Sequence, residues 1–187
     1  MLISLTGPSG VGKGFVKNFL TKHIDGLRDV CWTTTRPLRT GEAQGLSRES
    51  VYPKAFHALK DSGELVFVQE LFGHHYGLRR DFLSQHSGNF ITELHIDNLI
   101  LAGDTLPCTM KIALLPVNTG FLEARLLRRG TESAKEMAQR LEAAKQEVLK
   151  IERWKDLFSL VMYVSQENED TVCEDLRTFV TNELRQI

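Results

Sequence analysis

The chain has 187 residues, of which 42% are hydrophobic and 25% charged, and its formal net charge is −1 at pH 7. This size and composition are typical of one globular domain with a well-buried core, and the balanced charge excludes a global attraction to nucleic acid or to an acidic membrane. Three widely spaced cysteines, an N-terminus without a leader pattern and the lack of an apolar run of about 20 residues predict a cytoplasmic protein with reduced thiols.

The first predicted elements are a strand, a glycine-rich turn and a helix. Leu2 to Thr6 is a short apolar run, and it leads into the segment Gly7-Pro-Ser-Gly-Val-Gly-Lys-Gly14. Apolar residues then recur at helical spacing up to about His23. Such a turn directs backbone N–H groups at a phosphate near the helix N-terminus, and Lys13 adds a mobile positive charge. The segment predicts a phosphate-binding P-loop; a glycine-rich turn without a ligand is the alternative.

The next predicted feature is a strand-favouring segment, Arg28 to Thr35, which ends in a turn-rich loop. Arg36 and Arg39 lie three residues apart in that loop. Two guanidinium groups at this spacing form a fork that is able to grip a phosphate, so the loop is a candidate anion site. A solvated basic loop without a ligand is the alternative.

Residues 36–88 form a predicted small mixed lobe. Its predicted elements are a helix over 53–62, a strand over 65–68, a second strand across the turn at Gly73, and a short helix over 79–85.

Residues 89–94 follow the lobe and predict a buried strand with Glu93 at or near its end. An acidic residue at such a position is a candidate metal ligand beside a P-loop. A surface or helix-capping glutamate is an equal alternative.

The remaining chain alternates strands with helices. Strands are predicted over 111–115 and 158–164, and helices over 119–129, from about 131 to 153, and from 170 to the end. This alternation predicts an α/β fold with a mostly parallel sheet and ligands at the C-terminal edge of its strands.

The long helix has apolar residues at alternating spacings of four and three, with Arg140 at the edge of that face. Charged residues occupy other positions of the same helix, namely Glu142, Lys145, Glu147 and Lys150. These charges predict a solvated helix face.

Four motifs in this order resemble the guanylate kinase family along nearly the whole chain. They are Gly7-Pro-Ser-Gly-Val-Gly-Lys13, Thr34-Thr-Arg-x-x-Arg-x-Gly-Glu42, Tyr76-Gly77, and Arg125-x-x-x-Arg129-Gly-Thr followed by Arg140. The resemblance implies a P-loop NTPase fold and an ATP-dependent phosphotransferase, with MgATP as donor and a nucleoside monophosphate as acceptor. It also implies a single domain with a core of residues 1–35, 89–127 and 143–187, an acceptor-binding lobe of residues 36–88, and a mobile lid of residues 128–142.

The resemblance also implies roles for individual residues. The catalytic residues would be Lys13, Arg125, Arg129 and Arg140, because positive charge delivered by a closing lid stabilises the transferred phosphoryl group. ATP would be bound by Ser9, Gly10, Val11, Gly12, Lys13, Gly14 and Phe15. The acceptor would be bound by Arg36, Arg39, Glu42, Arg48, Phe67, Tyr76 and Leu78. Of these, Arg36, Arg39 and Tyr76 correspond to the family's contacts with the acceptor phosphate, and Arg48 replaces a second phosphate-contacting tyrosine.

The sequence departs from the family pattern where the family reads guanine. Phe67 stands in place of an acidic residue, Leu78 in place of a Ser or Thr, and Trp32 in place of a phosphate-contacting serine. These side chains would form an apolar wall, which cannot select guanine by hydrogen bonds. On the donor side, Gly14 replaces a magnesium-binding hydroxyl, so the metal would depend on phosphates, waters and Glu93, where the family has an aspartate.

Three functions remain open from the sequence. The first is a kinase for a phosphorylated small molecule, with GMP as the family's default acceptor. The second is a ribose 1,5-bisphosphate phosphokinase, because that related branch also lacks the guanine-reading acid and a hydroxyl after the P-loop lysine. The third is a non-catalytic domain that binds a phosphorylated ligand through Arg36 and Arg39. Gly14 favours the third function, whereas Lys13 and the lid arginines argue against it. No nucleic-acid or membrane partner is expected.

Overall fold

The structure is a computed structural model, and it describes residues 1–38, 42–46, 48–85, 88–103, 108–129 and 134–186. The chain divides into two units: unit 1 comprises Met1–Leu27 and Ile91–Ile187, and unit 2 comprises Arg28–Phe90. No helix in these described ranges is long and apolar enough to cross a membrane.

The elements of both units are numbered along the chain. In order they are β1 (Leu2–Thr6), α1 (Lys13–His23), β2 (Leu27–Asp29), β3 (Trp32–Thr34), β4 (Arg48–Ser50), α2 (Pro53–Asp61), β5 (Leu65–Leu71), β6 (His74–Arg79), α3 (Arg80–Gln85), β7 (Asn89–Glu93), α4 (Ile96–Ala102), β8 (Cys108–Pro116), α5 (Thr119–Arg129), α6 (Ala134–Arg153), a 3-10 turn (Lys155–Leu157), β9 (Leu160–Val164) and α7 (Glu169–Leu184).

The larger sheet has five strands in the order β2-β7-β1-β8-β9. The central strand β1 runs parallel to β8, with Leu5 opposite Ile112, and β8 runs parallel to β9, with Ala113 opposite Val161. All five residues of β1 are buried. Burial on both faces is what a parallel sheet with helices on both sides produces, and it explains why the apolar residues Leu2, Ile3 and Leu5 do not alternate strictly with polar ones.

The core of unit 1 lies between this sheet and its helices. Helix α1 contributes Val16 and Leu20, which are four residues apart and therefore share one face. Helix α7 packs against α1 and buries the same kind of stripe, composed of Val172, Cys173, Leu176 and Val180. The segment between β1 and α1, which carries the predicted P-loop, therefore joins a strand and a helix that both belong to this packed core.

Unit 2 contains a four-stranded sheet in the order β4-β3-β6-β5. Strands β3 and β4 are parallel, whereas β6 is antiparallel to both β3 and β5. Strands β5 and β6 form a hairpin whose turn contains Gly73 in the left-handed region at φ 74°. Helix α2 packs against β5 and buries Phe56 completely.

Several predicted elements differ in detail from the structure. The strand-favouring segment 28–35 is divided between β2 of the larger sheet and β3 of the smaller one. Helix α4 was not predicted, because seven mostly apolar residues give too short a pattern to separate helix from strand. The helix predicted over 53–62 is present as α2, and this short helix rests on a narrow stripe around Phe56, which leaves Ala55 exposed.

Candidate functional site

The glycine-rich loop of residues 7–12 joins β1 to α1. At Gly7 a Cβ atom would lie 2.3 Å from the carbonyl oxygen of Leu114, so only glycine allows the loop to approach β8 this closely. At Gly12, the residue before α1, φ is 108°, in a region that favours glycine. The ammonium of Lys13 donates to the carbonyl oxygens of Gly7 and Pro8, the latter at 3.1 Å. The lysine is therefore folded into the loop, at the helix N-terminus where an anion is stabilised.

Two of the predicted arginines lie against this loop. Arg125 Nη1 forms an ion pair with Glu169 Oε1 at 2.6 Å, and a Cβ atom at Gly12 would lie 3.4 Å from that same nitrogen. Arg140 Nη1 donates to Ser9 Oγ at 3.5 Å, across 131 residues of sequence. Lys13, Arg125 and Arg140 thus converge on one loop of unit 1. Arg129 ends α5, and its side chain lies outside the described residues.

The remaining residues predicted to bind ATP have different surroundings. The side chain of Val11 is completely buried, and its backbone N–H donates to the carbonyl of Pro8 at 3.2 Å. Phe15 is 46% exposed at the start of α1, so its ring is available to a ligand. Gly10 has φ 90°, and leucines of α5 approach it from one side.

The candidate metal position beside the loop does not fit a protein-held magnesium ion. Glu93 Oε1 lies 3.8 Å from the place where a Cβ atom of residue 14 would stand, but Gly14 has no hydroxyl to offer. Lys17 Nζ, which is almost completely buried, forms an ion pair with Glu93 Oε1 at 3.2 Å. A buried ammonium at this distance repels a cation from the same carboxylate oxygen. Within the described part of the chain, no group of three or more His, Cys, Asp or Glu side chains could hold a metal ion.

Arg36, predicted to hold the acceptor phosphate, is engaged inside unit 2. Its Nη2 donates to both carboxylate oxygens of Glu42 at 2.9 Å, and its Nη1 donates to the carbonyl of Pro37 at 2.8 Å. Only 9% of Arg36 is exposed, so the charge needs this partner. The two predicted acceptor residues Arg36 and Glu42 are therefore together, but as partners of each other. Arg39 lies outside the described residues.

Three other predicted acceptor residues share one face of the small sheet. Arg48 and Leu78 lie on either side of Trp32, and Tyr76 pairs with Thr34 two residues along. Side chains on neighbouring strands at these register positions point to the same side. Arg48 and Tyr76 are half-buried, whereas Trp32 is 3% and Leu78 is 2% exposed. Trp32 and Leu78 are therefore packed in the interior of the small sheet, and the apolar wall expected of them and Phe67 remains a prediction.

Phe67 lies at an irregularity of the hairpin. The pairing of β5 with β6 shifts between Val66 and Gln69, and Phe67 within this bulge has φ 51°. A bulky side chain rarely adopts that conformation, which costs of the order of 1–3 kcal/mol and persists only where surrounding structure enforces it. A bulge changes the direction of the side chain that it carries, and the ring of Phe67 is half-buried.

A cluster of charged side chains beside the loop was not predicted from the sequence. His95 precedes α4 and accepts a hydrogen bond at Nδ1 from the backbone N–H of Asp97 at 3.3 Å, while its Nε2 lies 3.7 Å from Glu147 Oε1. Lys150 Nζ pairs with Asp97 Oδ1 at 2.5 Å. Burial raises the pKa of the Glu147 carboxyl, and the ammonium of Lys13 is the strongest of the charges that oppose this rise.

The prediction that Glu147 belongs to a solvated helix face is therefore wrong, because only 10% of its side chain is exposed. A signal was present in the sequence. Glu147 follows the buried Ala144 by three residues and precedes the buried Ile151 by four, which places it on the inner face of α6. The charge of the residue concealed this spacing.

No family model matches the chain. A guanylate kinase of Halalkalibacterium halodurans is 29% identical over 187 residues, covering 98% of this chain and 88% of the relative. A guanylate kinase of Streptococcus agalactiae is 33% identical over 152 residues, and one of Nostoc sp. is 37% identical over 154 residues. Each covers 79% of this chain, and the matches span 73% and 75% of those relatives.

The fold is similar to a solved structure as well. The crystal structure of a guanylate kinase from Anaplasma phagocytophilum superposes with a TM-score of 0.72 at 23% identity, covering all of this chain and 85% of that one. At this level of identity the likeness concerns the fold alone. It confirms the predicted α/β P-loop architecture, in which a mostly parallel sheet is flanked by helices.

Proposed function

Because the chain belongs to the guanylate kinase family, we propose that it transfers the terminal phosphoryl group of ATP to the phosphate of a nucleoside monophosphate. In this reaction the bond between the γ-phosphorus and the β,γ-bridging oxygen breaks, and a bond to an acceptor phosphate oxygen forms. The products are ADP and the diphosphate of the acceptor. The relatives support a phosphotransferase of the nucleoside monophosphate kinase type, whichever acceptor it uses.

The observation that carries the proposal is the convergence of Lys13, Arg125 and Arg140 on the loop of residues 7–12. Phosphoryl transfer spreads charge over the oxygens of the transferred group, so catalysis depends on positioning and on positive charge. A purely structural cluster of three cations around one loop would repel itself. Glu169 pairs with one of these cations, Arg125. A tetra-anionic donor is complementary in charge to the loop and its cations.

The pair formed by Arg36 and Glu42 supports binding of the acceptor phosphate in unit 2. The guanidinium already binds two oxygens of one anion, each at 2.9 Å. A phosphate offers oxygens at a similar separation, so the same fork is suited to it. We propose that the acceptor phosphate binds Arg36 either in place of Glu42 or together with it.

The second candidate acceptor is a phosphorylated sugar without a base, ribose 1,5-bisphosphate. The observation that favours it is the lack of a polar side chain at both family positions that read guanine. Phe67 has an apolar ring, and Leu78 is packed in the interior of the small sheet. A pocket without these hydrogen bonds loses the discrimination between bases, of about 10⁴-fold, that polar contacts give.

An ADP-release assay with ATP and Mg²⁺ separates the candidates. GMP, AMP, CMP, UMP and ribose 1,5-bisphosphate are compared at equal concentration, and the diphosphate product is identified by mass. A kcat/KM at least tenfold higher for one nucleoside monophosphate supports the first proposal, whereas preference for the sugar bisphosphate supports the second. If none of the acceptors gives ADP release above background, both proposals are contradicted. The remaining function would be a non-catalytic binding domain, for which retained affinity for GMP is the readout.

A further inference from the structure

Helix α1 carries a second lysine one turn after Lys13. Lys17 is four residues further along the chain, which is about 6 Å along the helix axis. Only 4% of Lys17 is exposed, and its neighbour Val16 is buried as well. A lysine is almost never buried this deeply unless its ammonium is paired with an anion. The transfer of a phosphoryl group, as proposed above, does not use Lys17, so its burial calls for another role.

The partner of this ammonium is Glu93, the last residue of β7. Lys17 Nζ and Glu93 Oε1 are 3.2 Å apart. The backbone N–H of the next residue, Leu94, donates to the carbonyl of Leu5 at 3.0 Å, so the end of β7 is fixed beside β1. The ion pair is therefore anchored by α1 on one side and, on the other, by the strand next to the one that leads into the glycine-rich loop.

Gly14, which directly follows Lys13, lies close to the same carboxylate oxygen. A Cβ atom at residue 14 would be 3.8 Å from Glu93 Oε1, an ordinary van der Waals distance, so a small side chain would fit there. In P-loops this residue is a Ser or Thr whose hydroxyl binds Mg²⁺. The chain departs from that pattern twice in one place, because the hydroxyl is missing and Lys17 brings a positive charge to the carboxylate oxygen. Both departures lower the affinity for a divalent cation.

We propose that the Lys17 ammonium takes the place of a protein-held divalent cation beside the donor loop, a role that rests on the proposed kinase function. The side chain of Gly14 offers no oxygen ligand, and the Glu93 oxygen closest to it already binds a cation. A metal carried by ATP would gain no ligand from these residues. Nucleotide binding by this chain should therefore depend little on Mg²⁺.

An internal ammonium differs from a bound metal in two ways. It carries one positive charge, which the Glu93 carboxylate balances, so the pair is neutral as a whole. It also belongs to the chain and cannot be removed by a chelator. A neutral and permanent pair leaves the attraction for the donor phosphates to the other cations around the loop, which are Lys13, Arg125 and Arg140.

The test reverses both departures from the P-loop pattern. The proteins compared are the wild type, Gly14→Ser, Lys17→Met and the double variant Gly14→Ser/Lys17→Met. Methionine is a flexible apolar side chain that fills the space of the lysine stem without its charge. Lys22→Met is the control, because Lys22 is an exposed lysine in the last turn of the same helix. The Glu93 side chain is 22% exposed, so a cation from solution can reach it once the ammonium is removed.

The first measurement uses no nucleotide. The Tm of each protein is compared in EDTA and in MgCl₂ at matched ionic strength. We expect Mg²⁺ to raise the Tm of the double variant by about 3 °C, because the carboxylate and the new hydroxyl bind the metal only in the folded state. The Tm of the wild type and of Lys22→Met is expected to change by less than about 1 °C. A pair with a purely structural role predicts the same small change in all variants.

The second measurement is the Kd for ADP, which is not consumed during the experiment, with Mg²⁺ and with EDTA. The two values for the wild type are expected to agree within about threefold, because the protein adds no ligand to the metal. The double variant is expected to bind ADP about tenfold more tightly with Mg²⁺ than without it. Calorimetric titration measures both values.

Two results on the wild type would overturn the role of Lys17, and they decide the question even if the double variant does not fold. One is a Tm that rises with Mg²⁺, and the other is an affinity for ADP that Mg²⁺ raises tenfold or more. An equal response to Mg²⁺ in the folded double variant and the wild type would overturn it as well, because the ammonium would then not exclude the metal. If the wild type neither binds ADP nor transfers a phosphoryl group, the proposed function fails separately, and the response of the Tm to Mg²⁺ still tests Lys17.

Discussion

Lys13 and Arg36 are the predicted phosphate-binding cations of units 1 and 2, and each is held in a different way. The ammonium of Lys13 donates to two neutral carbonyl oxygens, whereas the guanidinium of Arg36 is bound by both oxygens of the Glu42 carboxylate. Phosphate competes more easily with a neutral acceptor than with a full negative charge in a half-buried site. Under the proposed function, the donor phosphate would replace only neutral partners of Lys13, whereas the acceptor phosphate would compete with the Glu42 carboxylate for Arg36.

The strongest test of this comparison removes the donor cation. Lys13→Ala is expected to lower kcat/KM for ATP about 10³-fold, because a positioned charge on the phosphoryl group is lost. Lys22→Ala, at an exposed position in the last turn of the same helix, is the control and should remain close to wild type. Steady-state kinetics measure both variants. Activity of Lys13→Ala within threefold of wild type would show that Lys13 takes no part in the reaction.

The next largest effect concerns the interior of the acceptor unit. Leu78→Ser is expected to lower the free energy of unfolding by about 3 kcal/mol, because it leaves a cavity and buries a hydroxyl. Leu46→Ser is the control, since Leu46 is 71% exposed in the same unit and should change stability by less than about 0.5 kcal/mol. Urea denaturation measures both. An unchanged free energy of unfolding for Leu78→Ser would show that this face of the small sheet is not packed in the interior.

Loss of the acceptor cation should separate the two substrates. Arg36→Ala is expected to raise the KM for the acceptor about 30-fold and to leave the KM for ATP within about twofold, because a charge-assisted contact is worth about 2 kcal/mol. Initial-rate kinetics with each substrate varied in turn measure the split. Equal increases in both KM values would argue that Arg36 acts through stability instead of the acceptor phosphate.

The smallest expected effect tests whether Glu42 competes with the acceptor phosphate for Arg36. Glu42→Gln keeps a hydrogen-bond acceptor beside Arg36 but removes its charge, so the KM for the acceptor is expected to fall about threefold. The expected change is opposite in sign to that of Arg36→Ala, which makes the two variants a matched pair. A higher acceptor KM in Glu42→Gln would mean that the carboxylate orients the arginine and does not compete with phosphate.

Local sequence patterns predicted most of the fold. The strand, glycine turn and helix of residues 2–23, the exact span of α5 and the amphipathic course of α6 all appear in the structure. These features depend on residues a few positions apart, whose spacing and backbone freedom can be read from the chain. Helix α4 is too short for its pattern to separate helix from strand. The separation of β2 from β3 depends on which sheet each strand joins, and no local pattern contains that information.

The sequence by itself determined the family, and it predicted the loop and the cations to which phosphate binding is assigned. Only the tertiary structure decided which charges meet. Arg36 pairs with Glu42, and Glu93 pairs with the buried Lys17. Glu147 is buried near the loop. The physical reason is that a charge is stabilised or opposed by groups that surround it in space, and most of these groups come from distant parts of the chain. Burial then decides how strongly each partner acts.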